Sequence, residues 1–233
     1  MTEPQSNRPV FLGIEGLDGS GKTVQCGLLA DALRRAGKRV FLIDFPQYDS
    51  PLGREIGRFL SGKDEAANAD SVDAKSMCLW YAADRWNALK NVDFSQYDYV
   101  IFNRYTLSSA VYQTARRCGG VNGDFIQWVF SLEHGVFGLP KPDAYLFLNT
   151  EIAGCAENLT HKGERIYVDG LDLYERSQSL LARCREIYLY CAETFPNVHQ
   201  VPCTGPEGLL PAEEIHRRVL DTLTELGFGP AQD

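Results

Sequence analysis

The sequence has no excess of positive charge. Its 233 residues include 23 Lys and Arg against 31 Asp and Glu, a formal net charge of −8. General affinity for nucleic acid rests on a basic surface, so no nucleic-acid partner is expected. A small anion is still allowed, because a pocket can be locally positive inside an acidic protein. No apolar run approaches the roughly 18 residues of a membrane span, and the first ten residues hold no apolar signal core. No membrane partner is expected either. The seven Cys are odd in number and form no C-x-x-C pair, and the four His are scattered. That pattern gives neither a disulfide framework nor a zinc site, and it predicts reduced thiols in a cytoplasmic protein. No repeat, linker or composition break divides the chain, which predicts a single domain over residues 1–233.

Five short apolar segments punctuate the chain: 10–15, 40–45, 99–102, 144–149 and 198–201. Their lengths read as buried strands. Helical stretches are predicted over 22–36, 52–61, 71–90, 106–117, 122–135, 151–160 and 172–194, with a last helix opening at Pro211. In 71–90 the apolar residues Val72, Met77, Leu79, Trp80, Ala83 and Leu89 are too many for a thin stripe, so deep burial is expected there. Strands alternating with helices imply an α/β fold of three layers, a five-stranded parallel sheet with helices on both faces.

The strongest local signal is Gly16-Leu-Asp-Gly-Ser-Gly21-Lys22-Thr23, which matches G-x-x-x-x-G-K-[ST] between a strand and a helix. Glycines let backbone N–H groups turn inward around phosphate oxygens, and the helix that follows points its positive end at the same anion. Gly16, Gly19, Ser20, Gly21, Lys22, Thr23 and Val24 are therefore the candidate nucleotide site. Lys22 is expected on the β and γ phosphates, and the Thr23 hydroxyl on Mg²⁺.

Further along, Phe45-Pro46-Gln47-Tyr48 follows the second strand. Trp80-Tyr81-Ala-Ala-Asp84-Arg85-Trp86 lies in a helix. Asn103-Arg104-Tyr105-Thr-Leu-Ser108-Ser109-Ala-Val-Tyr112-Gln113 follows the third strand, and Gly138-Leu-Pro-Lys-Pro-Asp143 precedes the fourth. Taken in order with Ile14–Thr23, these segments resemble the motifs of the thymidylate kinase family of P-loop nucleoside monophosphate kinases. The likeness extends over about residues 10–225. It implies a P-loop kinase fold, ATP and Mg²⁺ as cofactors, dTMP as acceptor and a homodimer.

The resemblance also assigns roles. Phe45 and Tyr81 frame the base, with Tyr81 as a stacking face, Pro46 belongs to the same substrate-binding loop, and the Tyr48 hydroxyl serves the acceptor phosphate. Ser108, Ser109 and Gln113 lie near the base edge, and Tyr112 crowds the sugar 2′ position. Asp18 sits near the acceptor sugar and the transferring phosphate. Arg85 and Arg104 suit the acceptor phosphate, since a planar guanidinium binds it in bidentate fashion. Arg104 ends a central strand, where ligands of open parallel sheets collect. Adenine is expected against the loop near 203–207.

Two positions depart from the family pattern. Asn103 replaces the usual Asp before Arg104, which removes a negative charge from the surroundings of the metal; Asp18, through water, is a candidate to supply it. Tyr48 stands where some members have Arg. No Arg occupies the variable loop positions, so a catalytic cation is expected from a lid at about 155–172. Lys162 and Arg165 are the candidates, with Gly163 and Gly170 as hinges, and Asp172 and Glu175 follow. Catalysis is thus assigned to Lys22, Asp18, Arg104 and Arg165. The alternatives are a kinase of another nucleoside monophosphate or deoxynucleoside, and a weakly catalytic nucleotide-binding regulator that Asn103 favours.

Overall fold

A computed structural model describes residues 8–63, 71–152, 155, 177–206 and 208–230. The elements run β1 (Val10–Gly16), α1 (Lys22–Arg35), β2 (Val40–Asp44), α2 (Pro51–Ser61), α3 (Ala74–Leu89), β3 (Tyr99–Asn103), α4 (Thr106–Cys118), α5 (Gly123–Phe130), β4 (Ala144–Asn149), α6 (Gln178–Thr194), β5 (Val198–Pro202), β6 (Thr204–Gly205), β7 (Gly208–Leu209) and α7 (Ala212–Glu225). The strands β1 to β5 form the expected parallel sheet in the order β2-β3-β1-β4-β5. Helices cover both faces, so this is the three-layer α/β architecture.

Strand alternation divides the core in two. Phe11, Val100, Phe102, Tyr145 and Phe147 point to one face and pack with residues of α3, α4 and α6. Leu12, Ile14, Ile101, Leu146 and Leu148 point to the other and meet α1 and α7. Every residue of β3 is buried, as a strand covered on both faces requires.

Local chemistry starts and stops the helices near the site. Ser50 caps α2 by accepting from the Gly53 amide at 2.9 Å, with Pro51 in the first turn and Gly62 ending the helix at φ 66°. Asp73 caps α3 through the amides of Lys75 and Ser76.

The structure departs from the sequence expectations in three places. Met77 and Leu89 are buried, but Leu79 is 48% exposed and Trp86 43%, so the outer face of α3 stays apolar and open. The stretch 122–135 is not one α-helix: α5 ends at Phe130 and a π-helical turn, Ser131–Val136, follows. A small antiparallel β6–β7 pair precedes α7, where only a loop is predicted. Of the helix predicted over 172–194, residues 178–194 are observed as α6. Most of the 151–160 stretch and of the lid at 155–172, with Lys162, Gly163, Arg165 and Gly170, lies outside the described residues, as do Asp172 and Glu175.

Candidate active site

The C-terminal ends of β1, β2 and β3 open into a cleft of about 340 Å³ lined by Asp18, Gly19, Gly21, Lys22, Thr23, Val24, Asp44, Phe45, Pro46, Tyr48, Asn103 and Arg104. Strand ends beside a reversal of strand order are where open α/β sheets collect ligands. One wall is the loop from β1 to α1. Gly16, Gly19 and Gly21 have φ of 148°, 84° and 84°, conformations in which a Cβ is strained. Gly19 also lies against the Cys155 carbonyl, where a side chain would collide. Lys22 is buried, and its ammonium donates to the carbonyls of Gly16 at 3.1 Å and Leu17 at 2.5 Å. The cation is therefore stored at the mouth of the loop.

The facing wall comes from β3. The Arg104 backbone is left-handed at φ 62°, the one described non-glycine residue in that region. Two groups from β1 hold this turn. The Ile14 carbonyl accepts from the Arg104 amide at 3.1 Å, and the Glu15 carboxylate accepts from the Tyr105 amide at 2.8 Å. Glu15 also accepts from the hydroxyls of Ser108 and Tyr188. Burial pushes the Glu15 carboxyl above the ordinary carboxylate range, against the pull of its Ser108 and Tyr105 donors. Held in this way, Arg104 reaches across to Asp18 and makes an ion pair with it. The second Asp18 oxygen accepts from the Tyr112 hydroxyl at 2.9 Å.

The Phe45–Ser50 loop is pinned from below. The Phe45–Pro46 peptide is cis. Asp84 of α3 accepts from the Gln47 amide at 2.9 Å and the Ser50 hydroxyl at 3.1 Å, tying the loop that carries Tyr48 to the helix beneath. Gly53 packs so closely on the Gln47 carbonyl that a Cβ would overlap it.

Three assignments change. Arg85 is expected at the acceptor phosphate, but its guanidinium is buried and its charge is taken by Glu133, at 2.7 and 2.9 Å. It also donates to the Ser109 hydroxyl and the Tyr105 carbonyl. A phosphate beside Glu133 would meet like charge, and in this structure the Arg85 charge is already matched within the fold. Its guanidinium lies 5.8 Å from the rings of Phe45 and Tyr81, and so under the aromatic frame. Ser108 and Ser109 turn their hydroxyls inward to Glu15 and Arg85 instead of toward a base edge. Asp18, expected near the metal through water, is held here by Arg104 at one oxygen and by Tyr112 at the other. Tyr81, Tyr112 and Gln113 do not line the cleft; Gln113 is fully buried and accepts from Arg116 at 2.6 Å.

No motif or periodicity in the sequence marks Glu133. Burial raises its carboxyl, opposed by Arg85 and the Thr106 hydroxyl. It enters the core because the π-helical turn rotates it inward, and no simple periodicity marks such a turn. Asp44 and Asp84 were also unassigned. A carboxylate directly before Phe45-Pro46 was the available signal for the first.

A family profile described as thymidylate kinase matches residues 14–210. The thymidylate kinase of Mycobacterium tuberculosis H37Rv is 33% identical over 183 residues, covering 77% of this chain and 84% of that protein. Human thymidylate kinase is 28% identical over 162 residues, covering 69% and 70%. A solved structure of Candida albicans thymidylate kinase superposes with a TM-score of 0.69 at 22% identity, covering 97% of this chain and 96% of that one.

Proposed function

Because this chain belongs to the thymidylate kinase family, we propose that it transfers the γ-phosphoryl group of ATP to dTMP, giving ADP and dTDP. The observation that supports this best is one cleft with the loop cation Lys22 on one wall and Arg104 on the other. A nucleotide kinase needs two such anion sites facing each other.

The residues divide the work. The amides of Gly16–Thr23 and the first turn of α1, with Val24, receive the ATP phosphates. Lys22 exchanges its carbonyl partners for phosphate oxygens and neutralises charge on the transferring group. Arg104 releases Asp18 to bind the acceptor phosphate, and Asp18 stays beside it to orient the acceptor. Phe45, Pro46 and Tyr48 border the acceptor, with Tyr81, Tyr112 and Gln113 behind them. The acceptor phosphate is already ionised near neutral pH, so no general base is required. Arg165 of the lid is the proposed further cation, and adenine is placed near the β6–β7 pair.

The cleft suits Mg²⁺, a hard cation that takes oxygen donors. The buried Asn103 Oδ1 has no hydrogen-bond partner, while the Asn103 amide donates to the Thr23 hydroxyl at 3.2 Å. Thr23 would hold the ion with Asn103 behind it. When bound, Mg²⁺ draws charge from the phosphate oxygens.

No described helix is long and apolar enough to cross a membrane. Six of the seven thiols are buried, and burial pushes Cys78 and Cys203 up to about 12. Such inert thiols suit a cytoplasmic enzyme. We place the homodimer contact on α3, where Leu79 and Trp86 expose apolar surface two turns apart.

A coupled ADP-release assay over nucleosides and monophosphates tests the reaction. dTMP should give the highest kcat/KM, and a higher value for any other acceptor overturns the assignment. Lys22→Ala should lower kcat about 10²–10³-fold, as loss of a transition-state cation does. Tight ATP binding without turnover would instead favour the weakly catalytic regulator that Asn103 suggests.

A further inference from the structure

The family position before Arg104 carries Asn103, so the cleft lacks a carboxylate there. Asp18 is committed to the acceptor side of the cleft, beside Arg104 and hydrogen-bonded to the Tyr112 hydroxyl. Asp44 is placed differently. Strands β2 and β3 are parallel, and Asp44 is the register partner of Asn103. Registered residues on paired strands share a face and lie about 5 Å apart across the ladder. In this ladder Leu42 and Ile101 fix that face: both belong to the core beneath α1. Asp44 and Asn103 therefore emerge on the side where α1 begins with Lys22 and Thr23, and all four residues line one cleft.

We propose that Asp44 supplies, from the neighbouring strand, the negative charge that Asn103 lacks, and so holds the water shell of the divalent cation beside Thr23. The proposal rests on the Mg²⁺–ATP reading above.

Three further observations support it. Asp44 is exposed, and among the described residues no hydrogen bond or ion pair engages its carboxylate; only its backbone carbonyl is used, by Gln47. The buried Asn103 Oδ1 is without a partner, so the residue registered with Asp44 keeps an unused hydrogen-bond acceptor. The Asp44 charge also reaches the first turns of α1. The Cys26 thiol is pushed up by burial first and by Asp44 next, against the pull of Lys22. Asp44 and Asn103 together thus present one negative charge and one amide carbonyl, split between two strands.

The test uses the full-length protein, Mn²⁺ as the metal and β,γ-imido-ATP as the nucleotide. Free and bound Mn²⁺ are separated by electron paramagnetic resonance. Asp44→Asn should weaken Mn²⁺ binding to the protein–nucleotide complex about 10–100-fold, the range for groups that hold a metal's outer shell. Without metal, the same variant should bind the nucleotide as well as wild type or better, because a repelling charge is gone. Moving the carboxylate back, in Asp44→Asn/Asn103→Asp, should restore Mn²⁺ affinity. Unchanged Mn²⁺ affinity in Asp44→Asn overturns the proposal and leaves the kinase reading standing. Weakened affinity that the double variant fails to restore also overturns it. A wild-type protein that binds the nucleotide with no Mn²⁺ removes both readings. Asp44 is exposed at a strand end, so these variants should fold, and a thermal melt checks that they do.

Discussion

Arg104 and Asp18 are ion-paired across the mouth of the cleft, 86 residues apart in the chain. Arg104 turns its side chain toward Asp18 from a left-handed backbone, φ 62°. A non-glycine residue in that region costs about 1–2 kcal/mol. Cleft geometry here is maintained against a backbone preference.

Arg104 therefore separates stability from activity. Arg104→Ala and Arg104→Gly both remove the guanidinium, and kcat/KM for dTMP should fall about 10²-fold or more in each. Only glycine relieves the backbone, so Arg104→Gly should be about 1 kcal/mol more stable than Arg104→Ala in urea unfolding. Equal stabilities would show that the turn is unstrained.

Glu133 and Arg85 form a buried pair at 2.7 Å. Removing one partner leaves a buried charge alone, so Glu133→Gln should cost about 3–5 kcal/mol. Replacing both, as Arg85→Met/Glu133→Leu, should recover most of that loss, because two desolvated charges are removed together. Matched single and double variants in urea unfolding decide it. A double variant as unstable as the single one would mean that the pair stabilises the fold by itself.

Gly53 is where α2 touches the Phe45–Ser50 loop, the proposed acceptor loop. Gly53→Ala places a methyl into the Gln47 carbonyl and should push the loop bearing Tyr48 outward. Overpacking of this kind costs about 1–3 kcal/mol. The KM for dTMP should rise well above wild type while the KM for ATP moves little. An equal rise in both would contradict the separation of the two sites.

Asp98 gives a pH dependence. The Arg39 side chain and amide donate to its carboxylate, which lowers the carboxyl to about 2. A carboxyl lowered in the folded state adds stability above its unfolded pKa, near 3.9. That contribution is lost as pH falls from about 4 to about 2. Carboxyl NMR titration should find Asp98 near 2 in wild type and closer to the ordinary value in Arg39→Ala. Solvent screens this surface pair, so the effect on overall melting should be small.

Much of this protein was legible in one dimension because the signals are local. The Gly16–Thr23 loop, the five strands and most helix boundaries arise from residues within a few positions of one another, where φ preference, capping and periodicity act. The side-chain partnerships were not. Arg85 read as an anion site because nothing near it in the chain announces Glu133, 48 residues on, and only the π-helical turn brings that carboxylate into the core. Leu79 read as core because periodicity reports apolar residues without saying which face another helix covers. Asn103 read as a missing charge, and the strand register alone sets Asp44 beside it. Composition fixed the net charge of −8 and allowed a positive pocket within it. The tertiary structure decided which cations face the cleft: Lys22 and Arg104 remain there, while Arg85 is neutralised in the interior, because a charge buried away from water must find its counter-ion within the fold.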